Sequence, residues 1–270
     1  MLRLFQTGHR EEARIIQELR DNGIQVFSHT PDGKQIHLQD PDCPHFSGSV
    51  DGVGYGFPGH ETDPVLIEIK TMATAGFKRL KMNGVKDTKP EHYAQMQMYM
   101  HWTQNTSAPI TIAKYLCTCK ETDEIYEQEV SYLPESAEHY TRKAHEIIMS
   151  DRPPERIKNA SEKSYNCRYC DYIDLCIKKT KCAEVYCRTC AHWSPGDGPG
   201  GKCQNICGDI DPKIGCPRHI YNPDLNPLEF VSANAVTGTI TYLLSSGEQI
   251  TNGPGHTSSK NLKEMIENDN

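Results

Sequence analysis

The feature that most constrains the fold is the stretch 48–70. A glycine-rich turn, Gly48-Ser-Val-Asp51-Gly52-Val-Gly54-Tyr-Gly56, leads after a short loop into Pro64-Val-Leu-Ile-Glu68-Ile-Lys70. The β-branched run Val65 to Lys70 reads as a strand, whose two-residue period puts Glu68 and Lys70 on one face and Ile69 on the other. With the Asp51 segment as the neighbouring strand of a hairpin, Asp51 approaches Glu68. Their carboxylates then make a hard, oxygen-rich site for Mg²⁺ or Mn²⁺, with Lys70 beside it. Such a set suits phosphodiester hydrolysis: the cation polarises the phosphate and acidifies a water, and the lysine orients or deprotonates that water. A lone Glu-x-Lys more often marks a solvated strand face, where the pair contributes little, so the surroundings carry the weight.

Those surroundings are specific. Gly48-x-x-Asp51-Gly52, Glu68-Ile69-Lys70 and Gln95-x-x-x-Tyr99 together resemble the PD-(D/E)XK nuclease superfamily, in its RecB-like, Cas4-like branch that includes phage-type exonucleases. The likeness covers roughly residues 5–180, with Val50 in place of the proline of the family name. It implies an α+β fold: a restriction-endonuclease-like core of mixed β-sheet flanked by helices, here followed by a C-terminal cysteine-rich metal-binding module. It also implies metal ligation by Asp51 and Glu68, assisted by the main-chain carbonyl of Ile69, and a catalytic Lys70. Gln95 and Tyr99 would line the site and contact DNA. The first helix of such proteins carries a His or a Glu at the metal, and of Gly8-His9-x-x-Glu12 the spacing of Glu12 fits better. The implied activity is that of a metal-dependent DNA exonuclease in phage-type recombination or DNA end processing. Its partners would be DNA and a single-strand annealing or other recombination protein. The alternative is a catalytically silent DNA- or partner-binding protein with the same fold.

Local patterns supply further elements. Helices are expected over 8–22, 91–104 and 134–150, and short strands over 24–27 and 35–38, joined by a turn at Pro31-Asp32-Gly33. Strands are also expected over 109–116 and 125–130, completing a mixed sheet, and a terminal hairpin over 236–251. The tail from Asn252 is expected to fray except for a short helix near 259–267. Met96 and Met100 read as core, and Cys117 and Cys119 as structural thiols. The proposed division is a nuclease core over 1–155, a cysteine segment over 156–182, a zinc-knuckle-like module over 183–225, and a hairpin with tail over 226–270.

The formal net charge of −7 argues against a uniformly basic nucleic-acid surface. The charge is locally reversed, however: Lys70, Lys78, Arg79, Lys81, Lys86 and Lys89 face only Asp87 between positions 70 and 90, a segment able to follow a phosphate backbone. No apolar run approaches the ~18 residues of a membrane span, and Met1-Leu-Arg-Leu-Phe5 is too short for a signal peptide. A cytoplasmic location, in a bacterium or a phage-infected host, is expected.

Nine of the twelve cysteines follow residue 166, which in a chain without a secretory signal favours metal ligation over disulfides. Cys167-x-x-Cys170-x5-Cys176 is similar to the C-terminal triplet that, in the resembled family, helps hold a 4Fe–4S cluster. No cysteine precedes residue 43 to complete that pattern. Cys182, Cys43 or a histidine is then the fourth ligand, and the site takes either zinc or the cluster. A second group, Cys187, Cys190, Cys203 and Cys216 with Cys207 or His219 as alternates, lies in a Gly/Pro-rich stretch too poor in apolar residues for a core of its own. A structural zinc would supply the stability.

Overall fold

The computed structural model describes residues 2–43, 46–150, 153–180, 182–194, 201–204 and 215–268. The chain forms two compact units, Met1–His145 and Glu146–Asn270; the three segments expected over 156–182, 183–225 and 226–270 all fall in the second. The first unit is a mixed sheet flanked by helices. Its elements are α1 (Leu2–Asp21), β1 (Gln25–Phe27), β2 (His37–Gln39), β3 (Ser47–Ser49), β4 (Gly52–Tyr55), β5 (Val65–Met72), α2 (Thr74–Thr88), α3 (Pro90–Thr103), β6 (Ile112–Cys119) and β7 (Ile125–Ser131), followed by α4 (Pro134–Met149).

The sheet order is β1-β4-β5-β6-β7. Only β5 and β6 are parallel, in register from Val65↔Ile112 to Met72↔Cys119. Parallel neighbours need a crossover, and α2 and α3 provide it. As the central strand, β5 is covered on both faces. Val65, Ile67 and Ile69 pack with Ile15 and Ile16 of α1, while Leu66 packs with Phe77 and Leu80 of α2 and Met96 and Met100 of α3. Helix α1 ends where Gly23 adopts φ +89° and the Ile24 N–H donates to Leu19 O at 3.0 Å, an arrangement that favours glycine.

Two expectations are corrected, and one stretch left without an element acquires one. The strands expected over 24–27 and 35–38 do not form a hairpin ladder: β1 pairs with β4 and β2 with β3, and only the single bridge His29↔Gln35 joins the two stretches. The basic stretch after Lys70 is the helix α2, broken at Gly84 (φ +73°). The tail is anchored, because the helix at Ser259–Asn268 buries Leu262 and Ile266.

The second unit contains α5 (Tyr165–Arg168), β8 (Trp193–Ser194), β9 (Lys202–Cys203), a three-stranded sheet of β10 (Glu229–Asn234), β11 (Thr239–Leu243) and β12 (Gln249–Asn252), and α6 (Ser259–Asn268). Its core gathers Cys182, Ile220, Tyr221, Ile240, Tyr242, Leu262 and Ile266. Asn252 is fully buried and accepts the Tyr221 N–H at 2.9 Å while donating to Thr257 O at 2.9 Å. Among the described residues, no helix is long and apolar enough to cross a membrane.

Candidate active site

The β4–β5 ladder begins at Gly52↔Ile67. Two residues further the same register would pair Val50 with Ile69, but the chain turns away and the Val50 N–H donates to Ile36 O at 3.0 Å. The Ile69 amide still requires an acceptor. Asp51 provides it: Oδ2 accepts the Ile69 N–H at 2.7 Å. A residue in a strand directs its N–H and C=O to the same side, so the Ile69 carbonyl also faces the Asp51 side.

Glu68 and Lys70 share the face of β5 opposite Ile69, as the period of two requires. Lys70 Nζ forms an ion pair with Glu68 Oε1 and lies 3.7 Å from Asp51 Oδ2. Glu68 is 0% exposed, and its Oε2 accepts no hydrogen bond among the described residues. Burial raises the Glu68 pKa, Lys70 opposes that rise and Asp51 adds to it. Burial works against the charge on Lys70, but Glu68 and Asp51 outweigh it and hold the ammonium above its usual range.

Glu12, on α1, has a raised pKa, first through burial and then through the nearby Asp51 charge. His9 Nδ1 lies 3.8 Å from Glu12 Oε2 with its side chain 80% exposed, whereas the Glu12 side chain is 25% exposed. Of the two first-helix candidates, Glu12 is the one turned toward the carboxylates. Both line a cleft of about 750 Å³ between α1 and the β1 region, together with Arg20, Phe27, His29 and Gln35. Sequence reasoning missed this cleft, because its walls meet only through tertiary packing.

Helix α3 supplies the remaining residues. Gln95 Nε2 donates to Tyr99 Oη at 3.0 Å, and Tyr99 Oη donates to Ser49 O at 2.9 Å, two residues before Asp51. Gly48 makes this approach feasible, since a Cβ there would lie 2.3 Å from Tyr99 Oη. His92 was given no role by the sequence. Its Nδ1 is 2.8 Å from Tyr115 Oη, and burial, followed by the Lys70 charge, pushes its pKa down to about 4. It is therefore neutral at pH 7.

Among the described residues, no group of three or more His, Cys, Asp or Glu side chains stands together as a metal cage. A hard cation does not need one, because it retains waters and binds through one or two carboxylates. Asp51, Glu68 and the Ile69 carbonyl fit that pattern, and among the described residues Glu68 Oε2 is a buried acceptor lacking a donor.

In the second unit, the Cys170 N–H donates to Cys167 O at 3.0 Å, forming a tight turn. Cys167 is buried, Cys170 exposed and Cys176 intermediate. Cys182 lies in the apolar core, where burial pushes its thiol up to about 12. In the first unit, Cys43 is buried and its N–H donates to Asp40 Oδ1 at 3.0 Å. Cys187, Cys190, Cys203 and Cys216 are all described, whereas Cys207 lies outside the described residues.

No protein-family model and no curated protein matches the chain. A solved structure titled "Crystal structure of SSO0001" aligns over 63% of this chain and 69% of its own, at 18% identity and a TM-score of 0.37.

Proposed function

We propose that the first unit is a metal-dependent deoxyribonuclease of the PD-(D/E)XK type, acting as an exonuclease on DNA ends, with the restriction-endonuclease-like core that this implies. The observation that carries the reading is the convergence of Asp51, Glu68 and Lys70 at the point where β4 leaves β5. Lys70 contacts Glu68 and lies 3.7 Å from Asp51. A buried carboxylate with an unfilled oxygen is costly unless something positive completes it, and sites with strongly perturbed carboxylates are frequently functional.

Asp51, Glu68 and the Ile69 carbonyl would hold Mg²⁺ or Mn²⁺, with Glu12 nearby. When bound, the cation supplies Lewis-acid polarisation of the phosphate and a more acidic water. Lys70 holds a positive charge where the phosphorane-like charge develops and orients the attacking water. Tyr99, fixed by Gln95 and Ser49, sets the position of the Asp51 turn. Neutral His92 adds no second cation beside Lys70. The cleft between α1 and β1 receives the DNA strand on the Glu12 side, with Arg20 contributing positive charge.

The test is digestion of matched linear and covalently closed DNA with Mg²⁺ or Mn²⁺, wild type beside Lys70→Ala. Loss of linear DNA alone, abolished by the substitution, is the expected result. Cleavage of both forms reassigns the protein as an endonuclease. DNA binding without cleavage of either form leaves a silent binding protein and overturns the reading.

A further inference from the structure

The second unit presents a different problem. Among the described residues, its apolar core takes no side chain from 187–219, and a segment without apolar packing of its own depends on cross-links or metals. None of its described cysteines is in a disulfide. Four backbone arrangements nevertheless bring together the segments that carry four of them. At the first, the Cys190 N–H donates to Cys187 O at 3.0 Å, closing a tight Cys-x-x-Cys turn. At the second, Gly215 adopts φ +67°, and a Cβ there would lie 2.8 Å from Val185 O and 3.1 Å from Tyr186 Cα. The backbone just before Cys216 is thus pressed against the backbone just before Cys187. The third is the pairing of Cys203 with Trp193, reinforced by the Gln204 N–H donating to His192 O at 2.8 Å, which holds Cys203 beside the chain leaving Cys190. At the fourth, Cys190 bridges to Tyr221, and the Ile220 N–H donates to Cys190 Sγ at 3.5 Å. Amide N–H groups aimed at sulfur favour a metal-bound thiolate.

We propose that Cys187, Cys190, Cys203 and Cys216 form a tetrathiolate zinc site that ties the 187–194 turn, the β8–β9 ribbon and the 216–221 turn into one unit. Four soft ligands fill a tetrahedral zinc and leave no open position, so this ion is structural. Cys203 and Cys216 lie close enough to Cys190 to act on its charge, although among the described residues no three of these side chains stand together as a formed cage. Metal binding draws them in and releases their protons to solvent. His219 supports the site from behind: its Nε2 lies 3.1 Å from Thr189 Oγ1 and its ring stands edge-on to Tyr221. Its Nδ1 is buried without a hydrogen-bond partner among the described residues, which makes a three-thiol, one-imidazole site the specific rival.

The test is alkylation of the native full-length chain with iodoacetamide, with and without a strong zinc chelator, followed by peptide mapping and metal analysis. Cys203 is exposed, so an unligated thiol there would react at once. The expected result is that Cys203 resists alkylation until chelator is added and then reacts together with Cys187, Cys190 and Cys216. About one zinc per chain should be lost in Cys187→Ser/Cys216→Ser but kept in His219→Ala and in Cys167→Ser/Cys170→Ser. Immediate chelator-independent alkylation of Cys203 in zinc-supplemented protein overturns the proposal. So does loss of that zinc in His219→Ala. The wild-type mapping decides the matter even if a serine variant fails to fold, and none of it depends on nuclease activity.

Discussion

The Asp51 carboxylate accepts the Ile69 amide N–H at 2.7 Å, so a candidate site residue also completes the backbone bonding of the central strand. Its structural and chemical roles are separable. Asp51→Asn retains an acceptor for Ile69 and loses the charge, while Asp51→Ala loses both. Urea denaturation is expected to show Asp51→Ala less stable by about 1–3 kcal/mol and Asp51→Asn close to wild type. Cation-dependent hydrolysis is expected to disappear in both. An active Asp51→Asn protein would remove this carboxylate from the chemistry.

Gly48 and Tyr99 form the second constraint. A Cβ at position 48 would meet the Tyr99 hydroxyl at 2.3 Å and Cε1 at 2.9 Å, and Tyr99 is too buried to swing aside. Gly48→Ala should therefore cost about 1–3 kcal/mol in a denaturation experiment, as overpacking does. It should also slow hydrolysis by displacing the Ser49 contact that precedes Asp51. The double variant Gly48→Ala/Tyr99→Phe, which removes the hydroxyl, is expected to recover part of the stability. No recovery would mean that the clash lies elsewhere.

Much of this arrangement was legible in the sequence, for identifiable reasons. The period of two placed Glu68 and Lys70 together, because β5 is a single regular strand. Helices α3 and α4 carried strong local signals, Pro90 near the first turn and apolar residues at helical spacing. What failed was long-range pairing: Pro31-Asp32-Gly33 looks like a hairpin turn, yet the partner of β1 is β4, nearly thirty residues away in sequence, because Val26 faces the α1 core. Helix α2 was hidden by its charges and by Gly84, although Phe77 and Leu80 supply the buried face. Helix α6 was legible as a helix but not as a docked one, since its three large apolar residues, Leu262, Met265 and Ile266, are few in a polar tail and only Leu262 and Ile266 are buried. The Asp51–Ile69 bond was invisible, because nothing local shows where β4 departs.

Glu68 sets a pH dependence whose direction follows from its raised pKa. Its contribution to stability is complete below the unfolded value near 4.5 and is lost as pH rises through the higher folded value. Glu12 shifts in the same direction. In chelator, thermal unfolding is therefore expected at progressively lower temperature as pH climbs through that interval, and Glu68→Gln should flatten the trend. On the proposed function Mg²⁺ would bind the ionised form, so the stabilisation it adds should grow with pH. A Mg²⁺ shift that is the same at pH 5 and pH 8 would place the cation elsewhere.

His92 acts in the opposite direction. Its pKa falls from 6.5 to about 4 through burial and the neighbouring Lys70 charge, so the unfolded chain takes up the proton first as pH drops. Its contribution to stability is complete above about pH 6.5 and is lost as pH falls toward 4. His92→Asn offers Tyr115 a replacement acceptor without a titrating ring. In urea denaturation it should reduce the acid loss of stability by on the order of 1–2 kcal/mol, with allowance for the part of the ring that solvent reaches. The activity profile should change as well. In wild type, a second positive charge arises beside Lys70 only at low pH, where Glu68 is also protonated, so His92→Asn should leave the acid limb of hydrolysis almost where it was. A limb that moves in His92→Asn would make the histidine, not the carboxylate, the group whose ionisation governs activity.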